Sequence, residues 1–300
     1  MKPITNLAAS VRQRLLNKAR EGNRSFQEIA QSYLMERFLY RLSRSSQKEN
    51  FVLKGALMLR VWQAPEARAT MDIDLLGRVS NEEAATAAAI RKVLASEVEP
   101  DGLEFSAVDM VIERITEGAE YRGLRVQIPA LLDTMRLHLQ IDIGFGDPIY
   151  PPPQKENFPT ILDLPAPVIS CYSRESAIAE KLHAMLTHGQ LNSRMKDFHD
   201  IWWLSRRFDF DGAVLLEAID RTLSKRGISV PDPIVAFSDQ FADTHQVQWS
   251  AFIKRMSPSD VPASFALIVR AVALFLGPLV EAHKKGTSFT DRWIAPGPWK

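Results

Sequence analysis

The sequence predicts an α+β chain, in which a small mixed sheet packed with helices precedes an all-helical C-terminal lobe. Strand-like runs of alternating polarity are confined to residues 51–147. Seven prolines then fall within the twenty residues from Pro148 to Pro167. Beyond them the apolar residues recur at helical spacing. At 300 residues and 46% hydrophobic the chain can bury a large core, and its length accommodates two lobes.

Residues 1–48 form a predicted N-terminal helical segment, since Phe26, Ile29, Leu34, Phe38 and Leu42 recur at roughly helical spacing with charges between them. A core spanning residues 49–150 comes next. It opens with FVLKGALMLRVW, read as a strand from Phe51 to Leu53, a turn at Gly55 and a helix carrying Ala56, Leu57, Leu59, Val61 and Trp62. After a polar loop, MDIDLLG alternates as a strand should, with Met71, Ile73 and Leu75 on one side and Asp72 and Asp74 on the other. The alanine-rich run 81–99 predicts a helix, and LEFSAVDMVIERI, LRVQIPALL and MRLHLQIDIGFGD predict three strands. Proline suits neither helix interior nor central strand, so 151–168 is expected to be an extended connection. The helical domain, 169–300, shows four helical patterns: SRESAIAEKLHAMLTHG, NSRMKDFHDIWWLSRRF, DGAVLLEAIDRTLSKRG and residues 265–283.

Composition narrows the classes of function. The single cysteine, Cys171, excludes an internal disulfide framework, and MKPITNLAASVRQRLL lacks a secretory apolar core, so a cytoplasmic location is expected. The apolar stretch from Phe265 to Val280 is short for a bilayer and carries Arg270, which predicts a buried helix and no membrane segment. The net charge of +1 conceals an asymmetry: residues 1–50 hold ten Lys/Arg against four Asp/Glu, and residues 51–150 hold ten against sixteen. An acidic segment that gathers cations beside a basic one that meets polyanions suits phosphoryl chemistry on nucleic acid; solvated helix faces are the alternative.

Asp72-Ile73-Asp74 is the sharpest feature. Two carboxylates two residues apart on a strand point the same way, and a divalent cation makes such crowding favourable. Magnesium fits as a hard cation that takes a few carboxylates plus substrate phosphates. Asp142, flanked by Ile141 and Ile143, is the candidate third ligand. Gly55 permits close backbone approach and precedes helix N–H groups, which together would cradle a phosphate; a simple turn is the alternative. A second cluster spans Glu175 to Asp200. Arg194, Asp197 and Asp200 share one face of a helix that also carries Lys196, while Lys181 flanks the stripe Ile178, Leu182, Met185 and Leu186 with its ammonium available for a triphosphate, or else merely solvated. His183, His188 and His199 lack the helical pair with adjacent glutamate of zinc hydrolases. No nucleophile elbow, Walker-type loop or dinucleotide fingerprint is present.

These residues resemble the AbiEii/AbiGii toxin-type nucleotidyltransferases of the DNA polymerase β-like superfamily. FVLKGALMLRVW with RATMDIDLLG is similar to that family's first motif, IDIGFGDPI to its later acidic strand, and AIAEKLHAM with NSRMKDFHDI to its Glu-Lys and Lys-Asp-x-x-Asp segments. The resemblance spans about residues 50–205 and implies a nucleotidyltransferase-fold lobe. It assigns Asp72 and Asp74 to magnesium (manganese as a substitute), Lys181 to the triphosphate, and an essential polar role to Asp197, with Lys196 and Asp200 beside it. The family's usual Gly-Ser or Gly-Gly is here Gly55-Ala56, which removes a hydroxyl. The resemblance further implies a toxin–antitoxin or phage-defence setting, a cognate antitoxin encoded nearby, an NTP substrate, and in some relatives addition to the tRNA 3′ end.

The expected reaction is attack of an acceptor hydroxyl on the NTP α-phosphorus with pyrophosphate leaving. Arg68 is a further candidate phosphate contact. Arg12, Arg14, Lys18, Arg20 and Arg24 favour RNA as acceptor. Transfer to a protein or small molecule, and a catalytically silent NTP- or RNA-binding module, are the alternatives.

Overall fold

The computed structural model describes residues 6–64, 70–115, 123–256 and 260–300. The chain forms two compact units, one of Met1–Gly146 with Pro153–Tyr172, the other of Asp147–Pro152 with Ser173–Lys300. Arg68 lies outside the described residues.

The first unit opens with α1 (Leu7–Glu21), capped by the Asn6 side chain, and α2 (Phe26–Arg44). Ser25 accepts the Glu28 N–H at the start of α2, with Glu28 in the first turn, so the Ser-x-x-Glu spacing sets where the helix begins. From Ile29 to Leu42 every residue of α2 is buried. It packs against α1 and the sheet, and is thus a core helix of this unit rather than a separate N-terminal segment. Its buried Arg37 and Arg41 both bond the Asp101 carboxylate, at 3.1, 2.6 and 3.1 Å, which satisfies an acid with no access to water.

Next come β1 (Phe51–Lys54), a 3-10 turn at Gly55–Leu57, α3 (Met58–Val61), β2 (Asp72–Gly77) and α4 (Glu83–Leu94). Strands β3 (Leu103–Phe105), β4 (Val111–Ile115), β5 (Gly123–Leu132) and β6 (Met135–Phe145) succeed them, then β7 (Gln154–Asn157) and β8 (Val168–Cys171). The run expected as one strand at 103–115 is two, because Ser106 and Asp109 close a turn in its middle. The mixed sheet runs β3-β5-β6-β2-β1-β8-β7, with β4 sharing the outer edge of β5.

The proline-rich stretch departs from its expected form. Residues 151–168 are not a bare connection: β8 lies parallel to β1 inside the sheet and β7 closes the edge. Prolines 151–153, 159, 165 and 167 all fall outside the two strands, so the β7–β8 ladder does not have to accommodate a missing N–H.

The second unit contains α5 (Arg174–His188), α6 (Met195–Arg207), β9 (Phe210–Asp211), α7 (Gly212–Arg226), α8 (Asp239–Met256), α9 (Phe265–Lys285) and β10 (Arg292–Trp293). The four predicted helices are present. A fifth, α8, is not evident in the sequence, because its buried residues Phe241, Ala242, His245 and Trp249 are separated by Thr, Gln and Asp and form a thin stripe. The short β9–β10 ribbon is likewise an addition to an otherwise helical unit. By length and composition α9 could cross a membrane, yet it packs against α6, α7 and α8 with Ile268, Val272, Phe275, Leu276 and Leu279 buried. That burial is the pattern of a core helix.

Candidate active site

Side chains at paired registers of adjacent strands project to the same face of a sheet. Lys54 of β1 pairs with Asp74 of β2, Asp74 with Asp142 of β6, and Asp142 with Arg125 of β5. Four strands therefore present one row of charges: ammonium, carboxylate, carboxylate, guanidinium. On the opposite face the register neighbours Leu53, Leu75, Ile143 and Leu124 are fully buried. Period-two alternation thus anchors one side in the core and holds the charges on the other.

Asp72 and Asp74 do share a face, and both are half-buried. Thr70 donates its hydroxyl to Asp72 Oδ1 at 2.6 Å, which orients that carboxylate. Asp74 lies against Gly55, whose φ is +71°. A Cβ there would come within 2.6 Å of the Asp74 Cγ and would strike Oδ2 as well. Glycine is required at this position both for its backbone conformation and for the carboxylate's space. Gly55 leads into a single 3-10 turn and the four-residue α3, a shorter helix than the sequence predicts. Ala56 is buried, so its methyl faces the interior.

A magnesium-type cation takes a small number of carboxylates and completes its shell with phosphate oxygens and water. Asp72 and Asp74 match that donor set. Asp142 stands differently, since Arg125 Nε donates to its Oδ1 at 2.9 Å and Nη2 to its Oδ2 at 2.8 Å. Gln140, the register partner of Asp72, adds longer contacts to the same carboxylate at 3.4 and 3.5 Å. Among the described residues no three His, Cys, Asp or Glu side chains gather as a metal-binding group. Asp142 is here the salt-bridge partner of Arg125. Arg125 escapes a reading of the sequence, although it is flanked by Leu124 and Val126 in the same way that Asp142 is flanked by isoleucines. Lys54 and Thr70 escape it too. Lys54 Nζ also sits 5.4 Å from the Tyr172 ring centroid.

The second unit holds its own charged network. Lys181 on α5 reaches Asp197 Oδ1 at 3.2 Å and Asp200 Oδ2 at 2.9 Å, both on α6. Arg194 donates to Asp197 Oδ2 at 2.6 Å, and His199 Nδ1 lies 3.2 Å from Asp200 Oδ1. Both acids are buried, Asp197 completely. Lys181 thus bridges two buried like charges that would otherwise repel across one turn of helix. Lys196 sits on the exposed side of α6. Buried Asn192 accepts the Arg194 N–H at 2.9 Å and shapes the turn that leads into α6.

The profile of a protein family described as nucleotidyl transferase AbiEii toxin, type IV toxin–antitoxin system, matches residues 37–271. No curated protein matches the chain. A crystal structure of a candidate nucleotidyltransferase from H. pylori is similar in fold, with a TM-score of 0.50 at 16% identity over 87% of this chain and 96% of that one. The crystal structure of JHP933 from Helicobacter pylori is 15% identical, covering 87% of this chain and 94% of that one, with a TM-score of 0.48.

Proposed function

Starting from a chain that belongs to the AbiEii nucleotidyltransferase toxin family of type IV toxin–antitoxin systems, we propose that it moves a nucleoside monophosphate from an NTP to an RNA hydroxyl such as the tRNA 3′ end. The observation that carries this reading is the pair Asp72 and Asp74 on one face of β2, with Gly55 cleared to admit the second carboxylate. The acceptor hydroxyl gives up its proton to water as its oxygen bonds to the α-phosphorus, the bond from that phosphorus to the bridging oxygen breaks, and pyrophosphate departs.

A divalent cation of the magnesium type, when bound, lowers the pKa of the nucleophile and offsets phosphate charge. Asp72 and Asp74 are the residues that would hold it. Thr70 keeps Asp72 oriented, and Gly55 leaves room for Asp74. By resemblance to its family Lys181 is assigned to the triphosphate, and within its own unit Asp197 and Asp200 hold its ammonium in place. RNA as acceptor is supported by the exposed basic residues Arg12, Arg14, Lys18, Arg20 and Arg24 at and after α1. The family implies a cognate antitoxin as partner, and a cytoplasmic, phage-defence setting fits that partnership.

Ala56 in place of the family's serine or glycine favours a second reading, a module that binds NTP or RNA without transfer. Incubating the protein with each of the four NTPs, labelled at the α-phosphate, and total RNA separates the two. Label in RNA with one NTP preferred is the expected result. Label in the protein or in a small molecule would redirect the acceptor assignment, and absence of both transfer and pyrophosphate would support the silent module.

A further inference from the structure

Asp142 sits beside Asp74 in register, where a third carboxylate would be placed to help clamp a second cation. Its surroundings point elsewhere. The Arg125 guanidinium grips both oxygens through parallel bonds of 2.9 and 2.8 Å, and the pair is largely sheltered, with side-chain exposures of 31% and 19%. A bidentate fork of this kind is the strong form of the carboxylate–arginine bond and fixes the geometry of both partners. Gln140 approaches the same carboxylate from β6 itself. A divalent ion using Asp142 would have to break the fork and tolerate a guanidinium as neighbour.

We propose that Arg125 withdraws Asp142 from the metal-ligand set, so that the protein binds one cation on Asp72 and Asp74 while Arg125 supplies fixed positive charge where a second cation would otherwise lie. Asp142 is then a positioning residue: its work is to aim Arg125 along the row, and it touches neither metal nor substrate. The charge sequence across the strands agrees, since Lys54 and Arg125 bracket the two acids at either end. This inference rests on the reading of Asp72 and Asp74 as metal ligands, and its test uses binding rather than turnover.

Manganese alone is the probe, titrated into the full-length protein and followed by electron paramagnetic resonance of free ion and by calorimetry. The wild type is expected to take one ion per chain. Asp142→Asn, an isosteric change, should leave that affinity within threefold, whereas Asp72→Asn should weaken it more than tenfold. Arg125→Gln frees the carboxylate and should tighten manganese at least threefold or add a second site. Circular dichroism and thermal melting identify which variants are folded, and the Asp142→Asn comparison stands even if Arg125→Gln does not fold. A tenfold loss in Asp142→Asn would overturn the proposal, and so would two sites in the wild type. Unchanged binding in a folded Arg125→Gln would overturn the role given to Arg125. If the wild type bound no manganese, or Asp72→Asn changed nothing, the metal assignment itself would fail, and the proposal with it.

Discussion

Asp197 shows how much a single side chain can carry. It is fully buried between the Lys181 ammonium and the Arg194 guanidinium. Removing one partner of a buried, hydrogen-bonded ion pair costs up to roughly 3–5 kcal/mol, and the cost is smaller here because Lys181 keeps Asp200 at 2.9 Å as a second partner. Asp197→Ala is therefore expected to lower the unfolding free energy by less than that bound, read as a lower urea midpoint. Adding Lys181→Met should cost less than the sum of the two single changes, because each single change already breaks the same Lys181–Asp197 contact. Strict additivity in urea denaturation would show that the Lys181–Asp197 contact contributes nothing. The helical spacing of Arg194, Asp197 and Asp200 makes a shared face legible in the sequence. What it cannot reveal is that the two acids are buried, because periodicity describes one helix and burial depends on what lies against it.

At the scale of elements, α2 is the clearest case of tertiary context overriding a local reading. Its sequence looks amphipathic, with Glu36, Arg37 and Arg41 among the apolar residues, and yet the helix is enclosed from Ile29 to Leu42. Glu36 accepts the Ile161 N–H at 2.7 Å, and Arg37 lies 3.6 Å from its other oxygen. Burial nevertheless dominates and pushes the Glu36 carboxyl up to about 7 from an ordinary 4.5. Between those values the native state binds more protons than the unfolded chain, so stability falls as pH rises through the window and levels off above about 7. At about 1.4 kcal/mol per unit of separation, the loss is on the order of 3 kcal/mol. Glu36→Gln should abolish most of this slope, raising the melting temperature relative to wild type at pH 8 and leaving the two alike near pH 4. Parallel pH profiles for the two proteins would contradict it. The other elements are legible in proportion to their period. β2, β5 and β6 alternate cleanly and appear as predicted, whereas β7 and β8 are hidden by neighbouring prolines that prove to flank them.

For the molecule as a whole, the α+β architecture can be read from the succession of period-two and helical runs, and the family from the order of its motifs. Register cannot. Which residue of β6 stands beside Asp74, and which residue of β5 beside Asp142, is decided by strand pairing over seventeen to sixty-eight residues of chain. Arg125 becomes visible only there. The two units each carry a charged network, one built on strand register and one on helix packing. On the function proposed here, the first of these holds the metal. Metal-dependent pyrophosphate release from NTP in the presence of total RNA, compared between the wild type and a folded Asp74→Asn variant, is the most direct measurement. A metal set that contributes several kcal/mol of transition-state stabilisation predicts a fall of roughly a thousandfold or more in the variant, with its melting curve preserved. Full activity in folded Asp74→Asn would contradict the account at its centre.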